Sequence, residues 1–331
     1  MSIAALWRET LRHVGWVLGV AVIVIVVGAV FRIGDLRAFA TMLSDAHPVW
    51  LLVALGLQAT TYANVAAGWK MVLAKTDTPQ LLRSLYPIAI GKLFVDQVIP
   101  VAGMGGNMFL VDQLTALGVR RGSAVATRLV AMIGFYAVYG VCALAMLAVL
   151  WVEGLASIWI AGFVIIFLIV AAVIPGLALW ISRRGRRPVS RRLARFASIR
   201  ALVGIVGEAP KRLLVDRRSI VRVAAVNGLV FLADAASLMV CFLALGQPIG
   251  FPVAFVAVMS ASMIATLGPI PLGLGTFEAG ATGMLALMGV SVEAALTATL
   301  LLRVFTLWLP LIPGFVLIRR ALRTKAALQR A

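Results

Sequence analysis

Arg303, Glu278, Asp234 and Arg128 are charged side chains set within long apolar runs. A charge at bilayer depth costs about 3 kcal/mol on insertion scales, so each is a candidate for function. The planar fork of arginine matches the oxygens of a phosphate group. Asp234 and Glu278 could carry a proton or meet a polar headgroup. Asn107 and Thr276 stand beside Gly-rich breaks, where half-helix N-termini would offer positive ends to an anion. Thr276 is expected to be the N-cap of such a half-helix, with Glu278 in its first turn. Lys92 and Asp96, four residues apart, form a secondary pair that an ordinary helical salt bridge would also explain. The competing structural account has Arg303 and Asp234 as internal partners within a bundle. Gln58, Asn64 and Asn227 fit interhelical hydrogen bonding.

The elements that must hold these residues follow from composition. Of 331 residues, 63% are hydrophobic and only 13% charged. A soluble core of this length cannot hide that much apolar surface. A soluble enzyme, a disordered chain and a disulfide-stapled module are excluded, leaving an all-α polytopic membrane protein. The net charge of +18 would suggest nucleic acid in a soluble protein. Here it marks the cytoplasmic side, and no nucleic-acid partner is expected.

Six runs are long enough to span: residues 14–31, 49–69, 129–152, 155–181, 223–245 and 296–318. The first reads as an uncleaved helix rather than a signal peptide. Two further apolar regions are interrupted. Residues 85–118 contain Pro100, Gly103, Gly105 and Gly106, and residues 253–290 contain Pro269, Pro271, Gly273 and Gly275. Neither tip can be continuous helix, and each flanking arm is too short to cross alone. Both regions are expected to be re-entrant helical hairpins.

Charge tests that topology. With the N-terminus inside, residues 32–48 are outside and formally neutral, while the basic stretch 183–222 is inside with 13 Arg/Lys and two acids. Every loop then obeys the positive-inside rule, with both termini cytoplasmic. A single crossing by 85–111 would put the basic stretch outside. Residues 189–206 within it are amphipathic and suit the inner leaflet.

The halves also match. Residues 1–152 read as span, span, hairpin from the cytoplasmic side, span. Residues 153–331 read as span, span, hairpin from the outer side, span. The count of three spans per half inverts the second relative to the first, a pattern of secondary transporters. Leu117-Gly118-Val119 follows the first hairpin as Met288-Gly289-Val290 follows the second. Arg128 and Arg303 come next, so Asn107 and Arg128 stand where Glu278 and Arg303 stand in the second half.

The segments Pro271-Leu-Gly-Leu-Gly275-Thr-Phe-Glu278-Ala, Ala286-Leu-Met-Gly289-Val and Leu302-Arg303-Val-Phe-Thr-Leu-Trp-Leu-Pro310 resemble the lysylphosphatidylglycerol synthase/flippase-like transmembrane family. The resemblance covers nearly the whole chain and is strongest in its C-terminal third. That family includes the lipid-flipping domain fused to aminoacyl-phosphatidylglycerol synthases and stand-alone proteins tied to hopanoid or glycolipid pathways. Its first hairpin usually carries Gly-Glu followed by Arg; here the pair is Gly106-Asn107, and an apolar residue near Leu110 replaces the arginine. Arg128 matches the arginine that follows. No synthase domain follows, so aminoacyl transfer is not expected.

The expectation is a lipid translocase of a bacterial inner membrane. An anionic or phosphate-bearing headgroup would enter a cavity between the hairpins, and rocking of one half would alternate access. Two alternatives stay open: a secondary transporter or channel for a small polar solute, and an accessory protein of a lipid-biosynthesis complex. A second copy of the chain or a lipid-biosynthesis enzyme could accompany it. No nucleotide loop, Ser/His/Asp set or metal cluster occurs, so no enzyme activity, cofactor or metal is expected.

Overall fold

The computed structural model describes residues 44, 46–98, 104–184, 210–268 and 273–328. These residues are helical, joined by turns, with no strand among them. The helices are α1 (Pro48–Leu73), α2 (Leu82–Val98), α3 (Met104–Ala116), α4 (Arg121–Val152), α5 (Ile158–Arg184), the single turn α6 (Lys211–Leu214), α7 (Arg217–Ala244), α8 (Phe251–Leu267), α9 (Thr276–Leu287), α10 (Val292–Arg303) and α11 (Leu309–Leu328). A π-helical segment, Val304–Trp308, joins α10 to α11.

Five helical stretches among the described residues are long and apolar enough to cross a membrane: Pro48–Leu73, Arg121–Val152, Ile158–Leu177, Arg217–Ala244 and Val292–Leu317. The run at 14–31, the amphipathic stretch 189–206 and the tip residues Pro100, Gly103, Pro269 and Pro271 lie outside the described residues. On α5, Ile158, Trp159, Ile165, Ile169, Val173 and Trp180 are all exposed. That band of large apolar side chains suits contact with acyl chains rather than water.

The two interrupted regions each form a pair of packed helices, α2 with α3 and α8 with α9. At about 1.5 Å per residue their arms run from about 18 to about 26 Å, below the roughly 30 Å of a hydrocarbon core. The α8 arm is enclosed all round, with residues 254–261 buried without a break. Close packing of α8 on α9 uses Gly280, where a Cβ would come within 2.8 Å of Ile264 Cδ1.

The second arms of both hairpins stop in the same way. Gly118 and Gly289 take left-handed backbone, at φ 85° and 87°. The Val119 N–H bonds to Leu114 O and the Gly118 N–H to Thr115 O; the Val290 N–H bonds to Leu285 O and the Gly289 N–H to Ala286 O. This is the Schellman arrangement, and only glycine enters it without a Cβ penalty.

The chain forms two compact units that are not its two sequence halves. One contains Met1–Gln58, Ala148–Leu155 and Phe231–Trp308; the other contains Ala59–Leu147, Ala156–Val230 and Leu309–Ala331. The α8/α9 hairpin and α10 belong to the first unit. The α2/α3 hairpin, together with the α11 helix that packs on α2, belongs to the second.

Candidate functional site: charged groups near the hairpin tips

In the α8/α9 hairpin, Glu278 is the third residue of α9 and is buried. Its Oε2 accepts the Gly275 N–H at 2.7 Å, and its Oε1 accepts from Arg303 Nε, also at 2.7 Å. The first bond satisfies one of the amides that a helix start leaves open. The second ties the end of α10 to the start of α9. The side chains of this pair are 11% and 7% exposed for Arg303 and Glu278, so it is largely withdrawn from solvent. The Arg303 guanidinium also lies over the Phe277 ring, 4.8 Å from its centroid. Thr276 is the first helical residue of α9, and the N-cap position falls on Gly275 rather than on Thr276 as expected from sequence. The Thr276 Oγ1 is buried with no hydrogen-bond partner among the described residues, as are Thr282 Oγ1 and Thr299 Oγ1.

In the α2/α3 hairpin, Asn107 stands in the first turn of α3 and Arg128 in the third turn of α4. Arg128 Nε donates to Asn107 Oδ1 at 2.5 Å. Lys92 and Asp96 pair along α2 at 2.5 Å, with side chains 22% and 26% exposed. Asp96 also reaches across to the second arm. Its Oδ1 accepts the Gly106 N–H at 3.1 Å, so α2 supplies a cap for α3. A Cβ at Gly106 would lie 2.3 Å from that oxygen, which accounts for glycine there. The Arg128 charge acts on both Lys92 and Asp96, so the four side chains form one electrostatic group.

The hairpins therefore repeat one device. An arginine from the following helix donates its Nε to a side chain in the first turn of the second arm. The sequence match of Asn107 and Arg128 with Glu278 and Arg303 corresponds to two like contacts. Gly105, Gly106, Gly273 and Gly275 lie beside these contacts.

Asp234 lies on α7 and bonds to neither arginine. Its Oδ1 accepts from Gln58 Nε2 at 3.0 Å, and the same nitrogen lies 3.0 Å from Ser237 Oγ. Gln58 and Ser237 are buried. Sequence reasoning treated Gln58 as a structural hydrogen-bonding residue and did not connect it with Asp234. It also missed Phe277, whose position beside Glu278 was the available signal. Among the described residues, no group of three or more His, Cys, Asp or Glu gathers to hold a metal.

Several apolar helices of spanning length, with charged groups pinned near the tips of two short-armed hairpins, define a multi-pass helical membrane protein. Residues 16–314 match the family whose description is Lysylphosphatidylglycerol synthase TM region, and the chain belongs to that family. No curated protein matches the chain.

Proposed function

We propose that the protein is a lipid translocase of a bacterial inner membrane, moving a lipid whose polar headgroup is anionic or phosphate-bearing. The observation that carries this reading is the pair of arginine-to-first-turn contacts, Arg128 to Asn107 and Arg303 to Glu278, near the tips of two hairpins with short arms. Charged groups and broken helices at membrane depth are tolerated where protein or a wet cavity surrounds them. A headgroup needs such a place, while its acyl chains stay in the bilayer.

In this reading the two hairpins are re-entrant and join six spans in an inverted-topology repeat, with both termini in the cytoplasm. Thr276 offers an unsatisfied hydroxyl at the start of α9 to the headgroup. Lys92 and Asp96 set the charge of the first hairpin. The protein makes and breaks no covalent bond. Movement runs down a gradient or is coupled to protons through Asp234 or Glu278.

The test is reconstitution in liposomes containing labelled lipids, with loss of fluorescence followed after adding a membrane-impermeant quencher. Inner-leaflet lipid should become accessible faster than in protein-free vesicles, with a preference among headgroups. Arg303→Ala should lower that rate at least tenfold. A folded Arg303→Ala protein with full activity overturns the site. No translocation of any lipid, with a proton gradient imposed, overturns the function and favours a carrier of soluble solutes or an accessory role.

A further inference from the structure

The two arginine contacts share geometry but differ in charge. Arg303 meets a carboxylate, so this pair at the α8/α9 tip is neutral: one cation, one anion. Arg128 meets an amide. Asn107 orients the guanidinium through Nε and adds no negative charge. The anion of this group is Asp96, and Asp96 already pairs with Lys92. Two cations thus share one anion, leaving this group of side chains with one more positive than negative charge.

The donors left over point the same way. Among the described residues, the Nε bond to Asn107 is the hydrogen bond Arg128 makes. The two outer nitrogens of its fork remain, in the planar arrangement that binds two oxygens of one phosphate. Lys92 contributes a rotatable ammonium that feels the charge of Arg128. An uncompensated charge at this depth is unfavourable until an anion joins it.

We infer that the Arg128–Lys92–Asp96–Asn107 group of the α2/α3 hairpin is the anion-recognising site, and that it takes a singly charged phosphate ester. The α8/α9 pair, neutralised internally, acts as a latch between α9 and α10. This rests on the lipid-handling reading above and deepens it, since it assigns the phosphate to one hairpin and fixes its charge.

The test measures binding rather than transport. Purified protein in detergent is titrated with phosphatidylglycerol, which carries one charge, and with zwitterionic phosphatidylcholine, with bound lipid counted by native mass spectrometry. Phosphatidylglycerol should bind at least tenfold more tightly. Asn107→Glu should give Arg128 the partner that Arg303 already has, and reduce that preference to under threefold. Asp96→Asn keeps an acceptor for the Gly106 N–H but removes the one anion, and should widen the preference.

Opposite responses to two charge changes in one cluster cannot both come from misfolding. No preference in the unmodified protein, no effect of Asn107→Glu, or a loss in both variants overturns the inference. Competition by soluble glycerophosphoglycerol, a phosphate diester with the same single charge, distinguishes the sources. Displacement of the lipid at similar concentration identifies a free phosphate ester as the ligand, and no displacement identifies a lipid headgroup. Intact lipid preference without translocation would remove the transport reading and leave this site. Translocation with a lipid preference indifferent to Asn107→Glu would do the reverse.

Discussion

Asp234 and Glu278 are both carboxylates within apolar helices, yet their surroundings differ. Glu278 has a guanidinium on one oxygen and a backbone N–H on the other. Asp234 has a neutral amide from Gln58, and no cation pairs with it among the described residues. Removing Arg303 would strand a buried anion, an error of about 3–5 kcal/mol where a pair is fully enclosed. Replacing Asp234 with Asn removes a charge that lacks a counter-ion and keeps an oxygen for Gln58. The Asp234→Asn protein should therefore unfold no earlier than the unmodified one on heating in detergent, while losing any response of transport to an imposed proton gradient. A lower unfolding temperature would mean that the carboxylate has a stabilising partner. The correspondence of Asn107 and Arg128 with Glu278 and Arg303 was legible in the sequence, because Asn107 and Glu278 each stand 11 residues before the glycine that ends the arm, and an arginine follows that glycine 10 and 14 residues on. The bond from the Gly106 N–H to Asp96 was not. Lys92 and Asp96 look self-sufficient at four residues apart, and the second bond forms only once the two arms fold together.

The spans were the most legible elements, since an apolar run of sufficient length has few alternatives. The predicted runs 49–69, 129–152, 155–181 and 223–245 correspond to α1, α4, α5 and α7, each extended or shifted by a few residues at its ends. The run 296–318 is less uniform than its composition suggested: it contains the end of α10, the π segment Val304–Trp308 and the start of α11. Pro310 offers a physical reason. It has no N–H for the carbonyl four residues earlier, and a wider turn before it spreads that deficit. Hydropathy alone is blind to this change of pitch. Beyond it, α11 meets α2 at Gly314, where a Cβ would lie 2.6 Å from Phe94 Cβ. Phe315 adds a ring contact with Phe94, 6.0 Å between centroids. Gly314→Val should push α11 away from the first hairpin arm and lower stability by about 1–3 kcal/mol, the usual range for overpacking. Denaturant unfolding of the detergent-solubilised protein would measure it, and an unchanged midpoint would mean that the contact yields freely.

At the scale of the molecule, a solvent-exposed ion pair links positions 141 residues apart in sequence. Lys75, after α1, pairs with Asp216, just before α7. Side-chain hydrogen bonds from Lys75 and then Ser219 hold the Asp216 carboxyl at about 2, below its ordinary 3.8. A carboxylate with a depressed value contributes stability that is fully present above about pH 4 and is lost as pH falls through about 2. Lys75→Met should therefore lower the unfolding temperature slightly at neutral pH, by an amount that shrinks to nothing between about pH 4 and pH 2. A difference that persists below this window would show that the lysine acts through packing instead. Salt should also reduce the effect, since both groups face solvent.

The interleaving of the two compact units has a consequence for how the protein is made. Three of the boundaries between them, after Gln58, Leu147 and Val230, fall inside α1, α4 and α7. Each unit is assembled from separated stretches of chain, so neither can close as its own residues leave the ribosome. The first must wait for Trp308 and the second for the α11 helix that packs on α2. Synthesis proceeds from the N-terminus, and domains made of continuous chain ordinarily fold in that order. Here the early helices must be held in the bilayer, inserted but unfinished, until α11 arrives. A truncation ahead of α11 would thus leave membrane-integrated helices without their partners, and would expose the product to quality-control proteolysis.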